Sequence, residues 1–318
     1  MVGATLPAAS AAESITLAWD QCASSFINSP VADTVERVAG RWVLEALDLP
    51  RESAVTFGTS ASACGLACLV AARRALLLRQ GWDFDERGLA GAPQIRVVVP
   101  ESVHITILKS LRLMGFGLQN IIRAPVDDNW RIDPEQMPEL DDRTILCLQA
   151  GEVNSGEFDK FLPLIELAKK ANSWVHVDGA FGLWARTSQS RRHLTEGVDD
   201  ADSWTSDGHK WLNTPYDGAF GICRSPDALA GAMNSDAVYA SSSADSQKNL
   251  GIEFSRRARG ISIWAALRTL GRHGIAELVE RHCRQAQLLA DGLRSSGFEV
   301  LNRVVLNQVL ARLDDDAT

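Results

Sequence analysis

Short β-branched runs alternate with longer helical segments along this chain, and this alternation constrains the fold more than any other feature of the sequence. Strands are predicted at residues 54–60, 95–99, 144–149, 174–178 and 219–223. Helices are predicted at residues 13–26, 32–47, 62–80, 103–114, 162–172 and 261–295, the last with a bend near residues 271–274. Strands separated by helices predict an α/β layered sheet, mostly parallel, in which ligands bind at the carboxyl ends of the strands.

The same pattern divides the chain into three predicted parts. Residues 1–50 form an N-terminal helical segment, residues 51–294 a large α/β domain, and residues 295–318 the beginning of a small C-terminal domain. The strand-like runs 298–301 and 305–313 have no helix to cover them. Because two uncovered strands do not make a stable domain, we expect this last part to be truncated.

Composition narrows the class of partner. The chain has 318 residues and a formal net charge of -8 at pH 7, so its surface is expected to repel nucleic acid and acidic membranes. No apolar run of about 18 residues is evident, and no membrane span is expected. The six cysteines are scattered, and Cys64 and Cys68 are expected to pack in a helix rather than bind a metal. Such thiols fit a cytoplasmic location.

A lysine stands between a polar turn and a tryptophan in residues 206–211, SDGHKW. A lysine that forms a Schiff base must be partly desolvated so that its amine is unprotonated, and this flank is not that of a solvated charged face. For the hexapeptide alone, a surface turn whose lysine extends into water remains an alternative.

Two further segments carry polar groups next to predicted strands. Asp178 ends a strand in residues 176–182, HVDGAFG, where a carboxylate could keep a pyridine nitrogen protonated or simply cap a turn. Residues 58–63, GTSASA, open the Ala-rich helix. Exposed amides and hydroxyls at a helix start could hold a phosphate, whereas a plain Ser/Thr cap is the alternative.

Two more polar residues follow strands. His104, at the start of a helix, could stack on a flat ring or cap the helix. Asn154, in the Gly-bounded loop 151–159, could donate to a phenolic oxygen or belong to a turn. The order of these features along the chain is a phosphate cradle, a histidine, a polar loop, an Asp and a Lys. This is the order in which a fold-type-I site for pyridoxal 5′-phosphate (PLP) is assembled.

On these residues the chain resembles the group II pyridoxal-dependent decarboxylases, which include the aromatic-L-amino-acid, histidine and glutamate decarboxylases. The segments that carry the resemblance are 101–117, 147–159, 174–185, 201–224 and 253–271, and the most specific stretch reads HKWLN-x-PYD. The resemblance implies the PLP-dependent transferase-like fold, in which a mixed, mostly parallel seven-stranded sheet is flanked by helices. It also implies a homodimer with its active sites at the interface.

The resemblance assigns roles around the cofactor ring to four residues of this chain. Lys210 would carry PLP as a Schiff base, and Asp178 would pair with the pyridine nitrogen. His104 would stack on one face of the ring and Ala180 would pack on the other. The implied reaction is decarboxylation of an L-amino acid, in which the α-carboxylate leaves as CO₂ and an amine remains.

Four residues receive further binding roles from the same resemblance. Ala61, Ser62 and His209 would hold the cofactor phosphate, and Asn154 would lie near the phenolic oxygen of the ring. Oxidative deamination or transamination on the same scaffold, and a catalytically silent dimeric relative, are the alternatives. The amino-acid side chain is not predicted.

Several positions depart from the family pattern. The mobile loop that precedes the Ser-Arg-Arg segment in the family is short here, and the tyrosines are Tyr216 and Tyr239. The donor of the Cα proton is therefore unassigned, with His104 as a substitute. Gly208 predicts a looser backbone before His209. Residues 256–257, both arginine, suit a structural ion pair better than a substrate anion.

Overall fold

Helices and strands alternate in the computed structural model, which describes residues 3–235 and 242–313. The helices are α1 (Pro7–Trp19), α2 (Pro30–Ala46), α3 (Ala61–Arg79), α4 (Phe84–Arg87), α5 (Ile105–Leu113), α6 (Phe161–Lys170), α7 (Pro226–Met233) and α8 (Gly260–Ser295). The strands are β1 (Ala54–Gly58), β2 (Arg96–Pro100), β3 (Ile122–Ala124), β4 (Thr144–Gln149), β5 (Trp174–Asp178), β6 (Ser203–Asp207), β7 (Ala219–Cys223), β8 (Glu299–Val300) and β9 (Ala311–Arg312).

Seven of these strands form one sheet in the order β1-β7-β6-β5-β4-β2-β3. Neighbours from β6 through β3 are parallel, whereas β7 is antiparallel to both β1 and β6. This is the mixed, mostly parallel sheet that the resemblance implies, so the predicted fold class is confirmed. The carboxyl ends of β1, β2, β4, β5 and β6 consequently meet at one edge.

The central strands are buried along their whole length. Every residue of β4, β5, β6 and β7 is buried, as expected for strands covered by helices on both faces. Helix α3 covers β5, β6 and β7. By length and composition alone α3 could cross a bilayer, but most of its apolar window is buried inside the protein. Its apolar character is thus explained by packing on the sheet.

Strand β6 is not predicted by the sequence, because the segment SWTSD lacks an apolar run. Its polar side chains are buried with partners: Ser203 Oγ accepts a hydrogen bond from Trp174 Nε1 (3.0 Å) and lies 2.9 Å from His176 Nδ1. Tertiary contacts therefore override the weak local preference for a strand. The short β3 and the helix α7 are likewise absent from the prediction.

The ends of the helices differ in how well the sequence predicts them. Helix α1 begins at Pro7, six residues before the predicted start, and stops before Asp20, which adopts a left-handed φ of 49°. The predicted bend in the last helix is confirmed at Gly271, where φ is 59° and ψ is -177°. Strands β8 and β9 pair with each other. The boundaries of the three predicted domains remain predictions.

Candidate active site

The carboxyl ends of three neighbouring strands bring polar side chains to one edge of the sheet. Gln149 ends β4, Asp178 ends β5 and Asp207 ends β6, and all three are buried. Gln149 and Asp178 are register partners, so they lie side by side. Lys210 follows Asp207 by three residues. This is the edge of an open α/β sheet at which ligands bind.

Lys210 lies in the loop that joins β6 to β7, and backbone hydrogen bonds close this loop. The amides of Gly208 and His209 both donate to Gly218 O, at 2.9 and 3.1 Å, and the Thr214 amide donates to Gly208 O at 3.1 Å. The Lys210 side chain is 25% exposed. It is therefore not the solvent-extended lysine of a surface turn.

Gly208 is tightly packed, so the looser backbone predicted here is wrong. A Cβ atom at this position would lie 2.9 Å from side-chain atoms of both Ile263 and Thr214. Glycine allows the loop to approach helix α8 closely. The departure at Gly208 consequently fixes the loop rather than loosening it.

Asp207 is a functional candidate that the sequence does not reveal. Its Oδ2 lies 3.2 Å from Lys210 Nζ, and its Oδ1 accepts a hydrogen bond from the Ala61 amide at 2.6 Å. His209 Nε2 lies 3.5 Å from the same Oδ1. The available signal is an acidic residue three positions before the lysine, but the contact with Ala61 spans 146 positions and has no local signature.

His209 is held on one ring nitrogen and one ring face. Its Nδ1 accepts a hydrogen bond from the Gly218 amide at 3.1 Å, which places the proton of the neutral ring on Nε2, toward Asp207. Tyr216 stacks on the ring with centroids 4.2 Å apart. Burial lowers the pKa of His209 and favours the neutral ring.

Asp178 is a desolvated carboxylate with one oxygen available. Its Oδ1 accepts a hydrogen bond from the Ala180 amide at 3.2 Å. Within residues 3–235 and 242–313, no hydrogen bond reaches Oδ2. Burial raises the pKa of Asp178, whereas positive charge on His104 and Lys210 lowers it. A protonated ring nitrogen at Oδ2 would further favour the ionised carboxylate.

His104 is the N-cap of α5, as the plainer interpretation of the sequence predicts. Its backbone amide donates to Gln149 Oε1 at 3.1 Å, and its ring Nδ1 lies 2.7 Å from Thr106 Oγ1. The cap therefore brings the imidazole close enough to act electrostatically on Asp178. The stacking and proton-donor roles of His104 remain predictions.

The first turn of α3 has both features that the GTSASA segment predicts, a serine cap and groups available to an anion. Ser60 is the N-cap, and its Oγ accepts a hydrogen bond from the Ala63 amide at 3.2 Å. The Ala61 amide is taken by Asp207. In the described part of the chain, the Ser62 amide and hydroxyl form no hydrogen bond, so they are available to an anion.

The small residues after Asp178 serve backbone packing. A Cβ atom at Gly182 would lie 2.2 Å from the carbonyl oxygen of Ala150, and one at Gly179 would lie 2.7 Å from Leu183. These glycines hold the loops after β4 and β5 together. Ala180, predicted to pack on a flat ring, is half-buried.

Asn154 is exposed and is bound by the loop that contains it. Its Nδ2 donates to Glu152 Oε1 at 3.0 Å, and its backbone amide donates to Glu152 Oε2 at 2.9 Å. Glu152 is buried and organises the turn. The structure thus shows the turn, and the contact of Asn154 with a phenolic oxygen remains a prediction.

The two arginines at residues 256–257, just before α8, are structural, as the sequence favours. Arg256 is buried and donates to both carboxylate oxygens of Glu36, at 2.6 and 2.8 Å. Arg257 pairs with Asp217 at 3.0 Å. Both guanidinium groups therefore have protein partners.

A cavity of about 580 Å³ opens beside Lys210. Phe181 and Trp211 contribute aromatic walls, and Asn213 contributes an amide. Trp211 Nε1 donates to His282 Nδ1 at 2.6 Å, so the tryptophan of the HKW motif is held in place from α8. A cavity with apolar walls and a few amides suits a small organic ligand.

His176 lies in β5 beneath this edge and is completely buried. Its Nδ1 lies 2.9 Å from Ser203 Oγ, and within the described residues its Nε2 has no hydrogen-bond partner. Burial lowers the pKa of His176 to about 4. The ring is therefore neutral at neutral pH, and the folded protein resists its protonation.

We expect the protein to lose stability as the pH falls from about 6.5 toward 4. In this window the unfolded chain protonates His176 and the folded chain does not, so acid favours unfolding. The loss from this residue is at most about 3 kcal/mol, at about 1.4 kcal/mol per pKa unit. In His176→Leu, the free energy of unfolding, measured with urea, should change less with pH across this window. The exposed His193→Leu is the control, and an unchanged slope in His176→Leu would contradict the prediction.

The residues at this edge fit PLP. Asp178 offers a desolvated carboxylate oxygen to a pyridine nitrogen, Lys210 offers a half-buried amine to the aldehyde, and Ser62 offers a free amide to the phosphate. A mixed α/β sheet with this set at its carboxyl edge defines the class of fold-type-I PLP-dependent enzymes.

Comparison with known proteins then gives the family. Residues 3–314 match the family described as pyridoxal-dependent decarboxylase conserved domain. The chain therefore belongs to the pyridoxal-dependent decarboxylases, and the resemblance that its motifs indicate is confirmed.

Individual relatives agree with this assignment. Tryptophan decarboxylase 1 from Oryza sativa subsp. japonica is 28% identical, and the match covers 92% of this chain and 62% of the relative. Phenylacetaldehyde synthase from Arabidopsis thaliana is 27% identical, and the match covers 91% of this chain and 62% of the relative. A crystal structure of Oryza sativa TDC with PLP and tryptamine has a TM-score of 0.87 and 26% identity, and the match covers 96% of this chain and 67% of that one. The chain thus spans about 62% of the length of these curated relatives.

Proposed function

We propose that this chain forms the PLP-binding part of an L-amino-acid decarboxylase, which releases the α-carboxylate as CO₂ and leaves an amine. The observation that carries the proposal is the proximity of Lys210, half-buried in the β6–β7 loop, to the desolvated Asp178 on the neighbouring strand. Membership of the family supports the same reaction.

The residues of this site have separate tasks in that reaction. PLP, when bound, supplies an electron-accepting ring. Asp178 would hold the proton on the ring nitrogen, and His104 would help to keep Asp178 ionised. Lys210 would hold the cofactor through its amine and exchange it for the amine of the substrate. Ser62 and His209 would hold the phosphate.

Aromatic L-amino acids are the substrates that we propose to test first. The cavity beside Lys210 has aromatic walls in Phe181 and Trp211. Tryptophan decarboxylase 1 of rice is among the relatives. Stacking on these walls would favour an aromatic side chain over an aliphatic one of similar size.

Aldehyde formation is the second candidate, since phenylacetaldehyde synthase is a relative of similar identity. It would consume O₂ and water and release the aldehyde, CO₂, ammonia and hydrogen peroxide. The residue that donates the Cα proton bears on the choice between the two reactions. Of the two tyrosines in the chain, Tyr216 stacks on His209, and Tyr239 lies outside the described residues.

Product analysis tests the two candidates together. The purified protein is saturated with PLP, its visible absorbance is recorded, and aromatic L-amino acids are added one at a time. Equal amounts of CO₂ and amine would support the decarboxylase. Aldehyde with hydrogen peroxide and ammonia would support the alternative. If the protein shows no visible band and forms no product, both candidates are contradicted, and the result would indicate a catalytically silent relative.

We also propose that the protein forms a homodimer. A row of large apolar side chains on α1 and the turn after it is exposed in the single chain: Ile15 (50%), Leu17 (57%), Trp19 (50%), Phe26 (55%) and Ile27 (77%). Such a patch supports burial against another protein surface. The segment before α1 also contacts the Lys210 loop, since the Leu6 amide donates to Asn213 O at 2.8 Å. A second copy that covers this region would therefore lie near the site.

Replacing both Phe26 and Ile27 by glutamate is expected to convert the dimer to a monomer, because charges would be buried in the interface. Sedimentation velocity measures the change. Leu288→Glu is the matched control, since Leu288 is also exposed (73%) but lies on α8. A monomeric wild-type protein, or a double variant that stays dimeric, would contradict the proposed interface.

A further inference from the structure

A carboxylate of this chain occupies part of the place expected for the cofactor phosphate. Asp207 is 3% exposed, and its Oδ1 accepts a hydrogen bond from the Ala61 amide at 2.6 Å, in the first turn of α3. Amides at a helix start bind anions, so this contact is of the kind that a phosphate oxygen would make. Here the anion is a side chain of the protein itself, the Asp207 carboxylate.

The other oxygen of Asp207 contacts the lysine that the proposed function requires to be free. Its Oδ2 lies 3.2 Å from Lys210 Nζ. His209 Nε2, 3.5 Å from Oδ1, also faces this carboxylate, and Asp178 is close enough to interact with it electrostatically. A single side chain thus joins the phosphate cradle, a phosphate-binding histidine and the cofactor-binding amine.

Phosphate and Asp207 cannot occupy this position together without a cost. Two negative charges a few ångströms apart repel strongly where water is excluded. Lys210, for its part, must leave Asp207 before its amine can bond an aldehyde. A phosphate that uses the Ala61 amide therefore requires that the carboxylate release this amide, and a bond to the aldehyde requires that it release the Lys210 amine.

We propose that Asp207 is a positioning residue that acts as an internal substitute for phosphate, ordering the cradle and Lys210 in the cofactor-free protein and weakening the binding of phosphate until it is displaced. The inference rests on the proposed function in one respect, the use of this cradle for a cofactor phosphate. It adds a residue that controls how readily the cradle is filled.

The test uses inorganic phosphate as the probe, measured by isothermal titration on the cofactor-free full chain. Asp207→Asn keeps the size of the side chain and an oxygen for the Ala61 amide but removes the charge. We expect it to bind phosphate about tenfold more tightly than the wild type, because repulsion is relieved and Lys210 is released. The rate at which PLP associates, measured by absorbance, should also be higher in this variant.

Asp202→Asn is the matched control. Asp202 accepts a hydrogen bond from the Val175 amide at 2.8 Å, so it too is a carboxylate bound to a backbone amide, but it lies just before the opposite end of β6. Its variant should bind phosphate as the wild type does. Circular dichroism and thermal unfolding of both variants show that they are folded.

Phosphate affinity that is unchanged or weaker in Asp207→Asn would overturn the proposal and leave Asp207 as a helix cap. An equal gain in Asp202→Asn would also overturn it, since the effect would then be one of net charge. The phosphate titration involves no decarboxylation. It therefore fails or succeeds independently of the product analysis that tests the proposed function.

Discussion

Replacing Lys210 by alanine is expected to abolish the visible absorption band of the PLP-loaded protein and to lower turnover by at least about a thousandfold. The reason is that position 210 would no longer carry an amine that can bond the cofactor. In the wild type, borohydride should bleach the band and leave the mass of the reduced cofactor on the peptide that contains residues 206–211. Absorbance and peptide mass spectrometry measure both effects.

Lys169→Ala is the control for this variant. Lys169 is 54% exposed and pairs with Asp200 at 2.8 Å, on a helix outside the site. The control should keep the band, the turnover and the labelled peptide. If Lys210→Ala kept a band that borohydride bleaches, another amine would hold the cofactor and the assignment of Lys210 would be wrong.

Removal of the Glu36 carboxylate is expected to lower the free energy of unfolding by about 3–5 kcal/mol. Glu36 and Arg256 have side chains that are each 1% exposed, and they form two hydrogen bonds, at 2.6 and 2.8 Å. Glu36 Oε1 also accepts a hydrogen bond from the Gly260 amide at the start of α8, at 2.9 Å. Glu36→Ala would leave a buried guanidinium without its counter-charge and a helix start without its acceptor.

Urea unfolding followed by circular dichroism measures this loss. Glu45→Ala is the control, because Glu45 is 50% exposed and lies 4.0 Å from Arg272, and it should change stability by no more than about 0.5 kcal/mol. The double variant Glu36→Leu with Arg256→Met should recover much of the loss, since two apolar groups need no counter-charge. A loss below about 1 kcal/mol in Glu36→Ala would show that Arg256 finds other partners.

The fold can be predicted where a segment's own residues determine its structure. The apolar runs at Thr144–Gln149 and Trp174–Asp178 form the strands β4 and β5 with the predicted bounds. Strand β6 cannot be predicted in this way, because its polar residues are stable in a strand only through partners such as Trp174 on the neighbouring strand. The predicted start of helix α1 is too late in the chain, because the signal for the true start is Pro7, a residue favoured at the first helical position.

The site is predictable to the extent that its residues stand in local motifs. Lys210 and Asp178 are each indicated by their own segments. The structure places Asp178 at the end of β5 and Lys210 in the loop that follows the neighbouring strand β6. Asp207 stands in the same hexapeptide as Lys210, but its meaning depends on Ala61, which is distant in sequence. The hydrogen bonds between Asn154 and Glu152 cannot be predicted for a different reason. A polar, Gly-bounded loop can adopt many conformations, so the sequence does not identify which acceptor Asn154 will use.

The closed β6–β7 loop has a consequence for the thermodynamics of ligand binding. Residues 208–218 are tied together at their base by amides that share the Gly218 carbonyl, and each end of the loop continues into a buried strand. The conformational entropy of this segment is therefore lost when the chain folds, and no comparable loss has to accompany the arrival of a ligand. The heat and entropy of binding at Lys210 would then report on solvent and on the ligand itself, rather than on the ordering of the protein backbone.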